Sequence, residues 1–157
     1  MKAIDYEHIF TMYLDTVYRV ALSGCKNISD AEDIVQNTFI KLIESNVCFE
    51  DDEHIRRWLI RVAVNECKSL HRNPWKKRRV SMENVEEPSF STPERSKLYY
   101  AVRDLPDKYR AVVYLYYFED FSIKEISDIM KISETAIQTR LLRARQKIKD
   151  ILKGAWQ

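Results

Sequence analysis

The side chains best suited to chemistry occur late in the chain, within residues Phe121 to Lys153. Helical spacing places five of them on one face, and four of the five are polar or basic: Gln138, Thr139, Leu142, Arg143 and Gln146. Amide and guanidinium groups hydrogen-bond to base edges in the major groove of DNA. The sequence shows no carboxylate pair, nucleophile–base pair or metal cluster, so we expect DNA binding and not an enzyme.

Two helices must position that face, and both have recognisable starts. Ser122 and Glu125 match a capping box, and an apolar stripe follows: Ile123, Ile126, Ile129 and Met130. After an interruption at Lys131, Ser133 can cap a second helix. Its apolar face would hold Ile137, Leu141, Ala144, Ile148, Ile151 and Leu152. This order is typical of a helix-turn-helix that reads DNA, and an ordinary helical hairpin with a solvated basic face is the alternative.

Composition indicates an almost wholly helical chain. Two Gly and four Pro among 157 residues leave no material for a phosphate-binding glycine loop. The longest apolar run, Ala111 to Phe118, is too short to span a bilayer. The N-terminal stretch MKAIDYEHIF has acids where a signal peptide needs an apolar core. We therefore expect a cytoplasmic protein without membrane insertion.

The cysteines give no sign of a metal site. Cys25, Cys48 and Cys67 are scattered and form no CxxC pair, which is typical of small buried hydrophobes in a reducing compartment. Cys67 and His71 could supply half of a site, but no second pair accompanies them. We predict no metal and no cofactor.

Two helices are predicted before residue 46. The first, Asp5 to Ser23, would end at Gly24 or Asn27 and bury Ile9, Phe10, Tyr13, Leu14, Val17, Val20 and Ala21. The second would begin with a capping box of Ser29 and Glu32. Its inner face would hold Ala31, Ile34, Val35, Thr38, Phe39, Leu42 and Ile43, and its outer face Asp30, Asp33, Gln36, Asn37 and Lys41.

A third helix is predicted near Asp52 to Arg72, after a loop that ends in helix-favouring acids. It would bury Ile55, Trp58, Leu59, Val62 and Ala63, with Leu70 as a further candidate. Its other face would hold Arg56, Arg61, Asn65, Lys68 and Arg72. A basic stripe beside aromatic anchors suits a nucleic-acid backbone, although a solvated basic surface explains it equally well.

The remaining chain predicts the domain organisation. Polar residues, prolines and a KKRR run indicate a flexible linker at 74–92. Helices resume at Thr92-Pro93, and Asp107 to Phe118 has the composition of a buried helix. We therefore predict an all-α fold of two small helical domains, 1–73 and 93–157, with the helix-turn-helix in the second.

Charge is divided into blocks although the net charge is only +2. Residues 30–53 contain eight acids and one Lys, whereas residues 54–80 contain nine Lys or Arg and one Glu. Adjacent blocks of opposite sign favour two different partners over one solvated surface.

Three blocks, in this order, resemble the sigma-70 family in its two-domain, extracytoplasmic-function (ECF) form. DAEDIVQNTFIKL resembles the helix that docks on the β′ clamp helices of RNA polymerase. HIRRWLIRVAVNECKSLHR resembles the helix that melts the promoter and reads its −10 element. LPDKYRAVVYLYYFEDFSIKEISDIMKISETAIQTRLLRARQKI resembles the domain that reads the −35 element and touches the β flap. The resemblance implies a sigma factor whose partners are core RNA polymerase and promoter DNA, with an anti-sigma factor as a further partner.

The resemblance also implies residue roles. Polymerase would be bound by Asp33, Gln36 and Asn37. At the −10 element, Asn65 and the loop from Phe49 to His54 would form a pocket for a base flipped from the non-template strand. Arg56, Arg61 and Lys68 would hold the single strand by its phosphates, and Trp58 would be mainly a core anchor. At the −35 element, base edges would be read by Gln138, Thr139, Leu142 and Arg143. The phosphates there would be contacted by Thr135, Arg140 and Arg145.

Two segments depart from the family pattern. The turn of the helix-turn-helix usually carries Gly where this chain has Lys131, so we expect a strained or differently shaped turn. The loop NVCFEDDEH is unlike that of a generic member, so no −10 preference can be assigned. The main alternative function is a stand-alone helix-turn-helix regulator that binds a palindrome as a dimer.

Overall fold

The computed structural model describes residues 4–25, 27–72, 97 and 100–156. The chain divides into two compact units, Met1–Val85 and Glu86–Gln157. All secondary-structure elements in the described ranges are helical, which confirms the all-α prediction. The predicted linker at 74–92 lies outside the described residues, so the domain limits 1–73 and 93–157 stay a prediction.

The first unit contains α1 (Tyr6–Cys25), α2 (Ile28–Glu44) and α3 (Asp52–Arg72), and each of these helices packs against the other two. Fully buried side chains mark their common core: Val17, Ala21, Ala31, Thr38, Leu59, Ile60 and Ala63. The predicted inner faces of α1 and α2 are confirmed except at Leu14, which is half-buried, and at Phe10 and Ile43, which are 47% and 60% exposed.

The buried face of α3 is rotated relative to the prediction. Ile60 and Val64 are buried, whereas Trp58 and Val62 are only half-buried. Where α3 packs against α1 and α2, its buried arc runs through Ile60, Ala63, Val64 and Cys67, and Trp58 and Val62 lie outside this arc. The prediction that Trp58 and Val62 belong to the central core is therefore wrong.

Helices α1 and α3 approach closely at Gly24. A Cβ atom placed on Gly24 would lie 2.5 Å from the Sγ atom and 2.9 Å from the Cβ atom of Cys67. Gly24 was predicted as a helix terminator, but α1 continues through it to Cys25, so its function is to permit this contact. No glycine among the described residues has a positive φ.

We predict that Gly24→Ala lowers the free energy of unfolding by about 1–3 kcal/mol, because the added methyl group overpacks the contact with Cys67. Urea denaturation of the full chain, followed by circular dichroism, measures the change. Gly154→Ala is the matched control, since a Cβ there meets nothing within 4 Å. The control should be neutral or stabilising by up to about 1 kcal/mol. Equal effects of the two substitutions would refute a packing role for Gly24.

Helix α2 begins earlier than predicted. Its N-cap is Asn27, whose side chain accepts a hydrogen bond from the Asp30 amide at 3.1 Å. The predicted capping box of Ser29 and Glu32 is therefore wrong, because both residues already lie inside the helix. Asp30 was predicted on the outer face, but in this register it is buried.

The second unit contains α4 (Asp107–Val113), α5 (Ile123–Met130) and α6 (Glu134–Trp156), and residues 100–103 are also helical. Leu105, Tyr109, Val113 and Ala144 form a buried cluster there. Next to it, the guanidinium of Arg110 is buried and donates to the carbonyl oxygens of Leu105 at 2.9 Å and Arg103 at 3.4 Å. Arg110 also pairs with Asp107, so one side chain holds the turn at Pro106 together.

Helix α4 does not run to Phe118 as an α-helix. From Tyr114 to Phe118 the backbone forms a π-helical turn, in which the Glu119 amide donates to the Tyr114 carbonyl oxygen at 3.2 Å. Tyr117 and Phe118 are 50% and 57% exposed, so the prediction of a helix buried throughout is wrong for its last turn. Widened turns of this kind are frequent at functional sites.

The helix-turn-helix is confirmed in its details. Ser122 and Glu125 form the predicted capping box at the start of α5, and Ser133 accepts from the Ala136 amide at 3.1 Å at the start of α6. Between the two helices Lys131 adopts a left-handed conformation, with φ 60° and ψ 39°. The Ser127 hydroxyl braces the turn by donating to the Ile132 carbonyl oxygen at 2.5 Å.

We predict that Lys131→Gly stabilises the chain by no more than about 1 kcal/mol, because relief of left-handed strain is partly offset by the entropy of glycine in the unfolded state. Lys131→Val is the matched control and should destabilise, since β-branched residues tolerate this conformation poorly. Thermal denaturation of both variants provides the comparison. A Lys131→Gly variant less stable than wild type would mean that the lysine side chain contributes more than the strain costs.

Candidate polymerase and promoter interfaces

The outer surface of α2 borders an open groove against α3. The groove measures about 140 Å³, and its lining comprises Asp30, Asp33, Ile34, Gln36, Asn37, Glu66 and Leu70. Asp33, Gln36 and Asn37 are exposed. The three residues assigned to polymerase from the sequence therefore share one accessible surface.

Two apolar residues extend this surface and were missed by the sequence analysis. Ile40 is 49% exposed and follows Gln36 by one helical turn, and Ile43 follows Ile40 by three residues. Ile40 lies outside the apolar stripe of α2, which was a usable signal, whereas Ile43 was assigned to the core. Exposed aliphatic groups beside polar ones are typical of a protein–protein interface.

The groove is acidic. Asp30, Asp33 and Glu66 contribute carboxylates to its lining, and Lys41 at its edge forms an ion pair with Glu66. This ion pair joins α2 to α3 and partly neutralises one of the three acids. The acidic lining of the groove favours a basic partner, because complementary charge speeds association and disfavours wrong partners.

The segment before α3 brings three predicted −10 residues together. The ring of Phe49 meets the rings of His54 and Trp58 edge-on, with centroids 5.1 and 5.6 Å apart. Asp51 accepts from the His54 amide at 2.8 Å, and the Nδ1 atom of His54 accepts from the Glu50 amide at 3.1 Å. The segment is therefore a small ordered aromatic cluster at the start of α3.

Helix α1 contacts Asp52, the first residue of α3, next to this cluster in sequence. The Tyr13 hydroxyl donates to the Asp52 carbonyl oxygen at 3.2 Å, and the Nε2 atom of His8 lies 3.3 Å from the Asp52 carboxylate. Burial raises the pKa of Tyr13, and the charges of Asp52 and Glu53 raise it further. Tyr13 thus stays a neutral donor at physiological pH and fixes the first turn of α3 to α1.

The basic face of α3 is only partly available to a strand. Arg61 and Asn65 are exposed, and Lys68 is half-buried. The side chain of Arg56 is only 19% exposed and pairs with Glu53 at 2.8 Å; Glu53 also binds Arg57 at 3.3 Å. Arg61 and Asn65 are therefore the best-placed members of the predicted set, since Arg56 would have to exchange a carboxylate for a phosphate.

The recognition face of α6 has the predicted arrangement. Ile137, Leu141 and Ala144 are buried, whereas the opposite side carries five of the predicted residues: Thr135, Gln138, Thr139, Leu142 and Arg143. Thr139 is half-buried and the other four are exposed. Because successive helical residues turn by about 100°, Arg140 and Arg145 fall on the two flanks of this face. Flanking cations are suited to phosphates, and central side chains to base edges.

Two of these arginines, Arg143 and Arg145, form hydrogen bonds with tyrosines. The Nε atom of Arg145 donates to the Tyr117 hydroxyl at 2.6 Å, which connects α6 to the π-helical turn. For Tyr109, burial raises the pKa, but a hydrogen bond from Arg143 and the charge of Lys108 lower it below its ordinary value. An arginine has five N–H donors, so both guanidinium groups can still bind DNA while a tyrosine orients them.

Comparisons with known proteins identify the family. The family model for sigma-70 region 2 matches residues 9–77, and the model for sigma-70 region 4 matches residues 95–148. The chain is 32% identical over 151 residues to the ECF RNA polymerase sigma factor SigM of Bacillus subtilis, covering 91% of this chain and 92% of SigM. The chain belongs to the ECF sigma factors of the sigma-70 family. Its function is therefore to bind core RNA polymerase and direct promoter recognition in transcription initiation.

Two further relatives agree with this assignment. The RNA polymerase sigma factor SigV of Bacillus subtilis is 32% identical over 130 residues, covering 81% of this chain and 78% of SigV. The solved structure of the sigma factor RpoE from Bartonella quintana, in complex with the anti-sigma factor NepR, has the same fold. Its TM-score is 0.78 at 21% identity, with 95% of this chain and 97% of RpoE covered. The alternative of a stand-alone regulator is not favoured, because the family model for region 2 matches this chain in addition to the model that covers the helix-turn-helix.

Three further predictions concern metal sites, membrane-spanning helices and the burial of the cysteines. Within the described ranges, no group of three or more His, Cys, Asp or Glu side chains could hold a metal ion. No described helix is long and apolar enough to cross a membrane. Cys67 is buried as predicted, but Cys25 is half-buried and Cys48 is exposed, so the prediction of three buried cysteines is wrong. Cys48 lies in the segment between α2 and α3.

We predict different consequences for the two arginines of the recognition helix. Arg143→Ala should lose about 1–3 kcal/mol of binding at the −35 element and relax the preference at one base, because a paired contact to a base edge is lost. Arg145→Ala should weaken binding to all sequences about equally and flatten the salt dependence, because phosphates carry no sequence information. Holoenzyme binding to −35 variants at several salt concentrations measures both.

Tyr117→Phe is the control for Arg145. It keeps the ring but removes the hydroxyl that accepts from the Arg145 Nε atom. If the tyrosine orients this arginine toward a phosphate, Tyr117→Phe should reproduce a smaller form of the Arg145→Ala loss without a change in base preference. A similar change in base preference for Arg143→Ala and Arg145→Ala would contradict the assigned roles.

Proposed function

We propose that the outer face of α2 is the surface by which this sigma factor binds the β′ clamp helices of core RNA polymerase. The observation that carries the proposal is the joint exposure of Asp33, Gln36 and Asn37 beside the acidic groove. The exposed Ile40 would supply the apolar centre of the contact, and the polar groups around it would fix its register. The acidic lining of the groove fits a basic partner.

At the −10 element, the aromatic cluster before α3 forms one wall of a pocket for a base extruded from the non-template strand. Extrusion costs a few kcal/mol, which stacking and contacts to the base edge recover. Asn65, on the exposed side of α3, contributes to this pocket, and Arg61 on the same side holds the strand by its phosphates. Arg56 and Lys68 contribute at the edges of this path, since both are half-buried.

At the −35 element, α6 lies in the major groove with Gln138, Thr139 and Arg143 at base edges. Leu142 is 66% exposed in the middle of this polar face. The apolar feature of the major groove is the thymine methyl group, so Leu142 contacts a thymine. Thr135, Arg140 and Arg145 contact phosphates around this centre, and the β flap binds elsewhere on the same unit.

The proposal includes a cytoplasmic location, where core polymerase and promoter DNA are found, and no catalysis by the chain itself. Because RpoE of Bartonella quintana was solved with the anti-sigma factor NepR, the proposal also includes an anti-sigma factor as a regulatory partner. Such a partner would act by covering surfaces that polymerase needs.

The test combines Asp33→Lys with Gln36→Ala. Both residues are exposed, so the fold should be retained. Capture of core polymerase should fall sharply, because the reversed charge repels the partner and an attraction is lost. Pull-down of core polymerase and transcription from a cognate promoter are measured side by side.

Asp15→Lys is the control, because Asp15 is an exposed acid of α1 that does not line the groove. It should retain wild-type capture and transcription. Normal capture by the double variant would remove α2 from the interface, and a wild-type chain that captures no polymerase would overturn the whole assignment.

A further inference from the structure

Three cationic side chains surround the ring of Tyr109 where α4 packs against α6. The ring is buried in the apolar cluster that joins these two helices. The Nζ atoms of Lys108 in α4 and Lys147 in α6 lie 5.0 and 5.8 Å from its centroid. Arg143 of α6 donates a hydrogen bond to its hydroxyl. The two helices therefore bring three exposed cations together, and we call Lys108, Arg143 and Lys147 the basic cluster.

The charge of the basic cluster is not balanced within the part of the chain that the structure describes, where none of its three cations forms an ion pair. The acids nearest to it in sequence have other partners: Asp104 pairs with Arg103, Asp107 pairs with Arg110, and Asp150 accepts a hydrogen bond from Gln146. Arg143 and Lys147 are four residues apart in one helix, a spacing at which like charges repel. An anion bound between these side chains would relieve the repulsion.

The cations also favour negative charge at the Tyr109 hydroxyl. Burial raises the pKa of Tyr109, but the hydrogen bond from Arg143 and the charge of Lys108 lower it below its ordinary value. The same field favours an anionic oxygen placed beside the hydroxyl. A tyrosine hydroxyl both accepts and donates, so its proton is available to such an oxygen while Arg143 binds its lone pair.

The basic cluster continues one side of the recognition helix. Arg140, Arg143 and Lys147 follow one another at intervals of three and four residues, so they share a side of α6. Arg140 and Arg143 belong to the set predicted to bind promoter DNA, and Lys147 extends their side by one helical turn. A DNA strand carries regularly spaced phosphates. Such a strand therefore fits this row of cations better than the single carboxylate of a protein partner does.

We propose that Lys108 and Lys147 bind one backbone phosphate of the promoter beside the −35 element, with the Tyr109 hydroxyl as a third donor. Lysine and tyrosine side chains are common donors to DNA phosphates. This site adds α4 to the DNA-binding surface, whereas the sequence analysis placed the phosphate contacts at this element only on α6. Arg143 connects the site to the face that reads bases. The inference rests on the function proposed above for α6.

Salt titration of holoenzyme binding to a promoter duplex measures this contact. Lys108→Ala and Lys147→Ala should each weaken binding roughly three- to tenfold at moderate salt. The double variant should reduce the slope of log affinity against log salt concentration by about one, the value for one lost phosphate contact. The preference for −35 bases should stay the same, because phosphates carry no sequence information. An unchanged slope for the double variant would overturn the proposal.

Lys153→Ala is the matched control, because it changes the net charge equally. Lys153 is an exposed lysine of the same helix, six residues beyond Lys147, or about 9 Å along the helix axis. This variant should keep wild-type affinity and slope. A loss equal to that of Lys147→Ala would show that net charge, and not the geometry of the basic cluster, explains the effect.

Tyr109→Phe tests the third donor. It keeps the buried ring but removes the hydroxyl, so it should weaken binding less than either lysine variant and leave the salt slope unchanged. Wild-type binding by Tyr109→Phe would remove the hydroxyl from the site.

A second measurement locates the phosphate. Neutral methylphosphonate groups replace the phosphates around the −35 element one at a time. One replacement should weaken binding of the wild type but have much less effect on the Lys108→Ala, Lys147→Ala double variant, because both changes remove the same contact. If every replacement weakens the two proteins equally, the basic cluster does not bind a phosphate.

Capture of core polymerase in the absence of DNA separates DNA from a protein partner. The double variant should capture core polymerase as the wild type does. Weaker capture with an unchanged salt slope would assign the basic cluster to an acidic surface of polymerase and overturn the proposal. If wild-type binding does not depend on the −35 sequence, the proposed placement of α6 fails, and the methylphosphonate series alone decides whether the basic cluster binds a phosphate.

Discussion

Satisfying the unpaired amide groups at helix starts is the constraint on which the functional surfaces depend. Each α-helix begins with amides that have no partner within the helix, and here short polar side chains accept from them. Asn27 does so for α2, Asp51 for α3, Ser122 for α5 and Ser133 for α6. A cap fixes which residue is first in its helix, and the helical repeat then fixes which side chains face outward. The caps hold the helix starts in place, and burial of the apolar stripe leaves Asp33 and Gln36 exposed on α2, and Gln138 and Leu142 exposed on α6.

This constraint also explains which helix starts could be predicted from the sequence. The helix-turn-helix was predictable in detail because Ser122, Glu125 and Ser133 are the only strong cap residues that agree with the apolar repeats around them. At α2 two cap patterns compete, and Ser29 with Glu32 looks better in sequence than Asn27. The choice is made by burial of Asn27 and Asp30, which depends on tertiary packing. The prediction that Asp33, Gln36 and Asn37 face outward was still correct, because these residues keep their mutual spacing wherever the helix starts.

Other errors arose where packing between helices decides which side chains are buried. The apolar residues of α3 offer more than one stripe, and packing against α1 and α2 buries the one that holds Ile60 and Val64. Burial of Ile60 and Val64 therefore could not be read from periodicity, and the contact of Gly24 with Cys67 could not be found from two residues so far apart in sequence. The π-helical turn has the same origin. Its amide-to-carbonyl register depends on how Leu115 is buried while Tyr117 and Phe118 are left exposed, and no local residue type specifies that.

The placement of the recognition helix involves a balance of strain and packing. Asp120 and Lys131 have φ values of 58° and 60°, so a left-handed residue lies near each end of α5. Each costs of the order of 1–2 kcal/mol in a residue with a Cβ, and a helix of eight residues is not stable alone. Burial of Phe121, Ile126, Ile129 and Met130 offsets these costs only when α6 is packed against α5. The two helices of the motif therefore stabilise one another, and the face that reads DNA is presented only when the turn, the caps and the shared core are all formed.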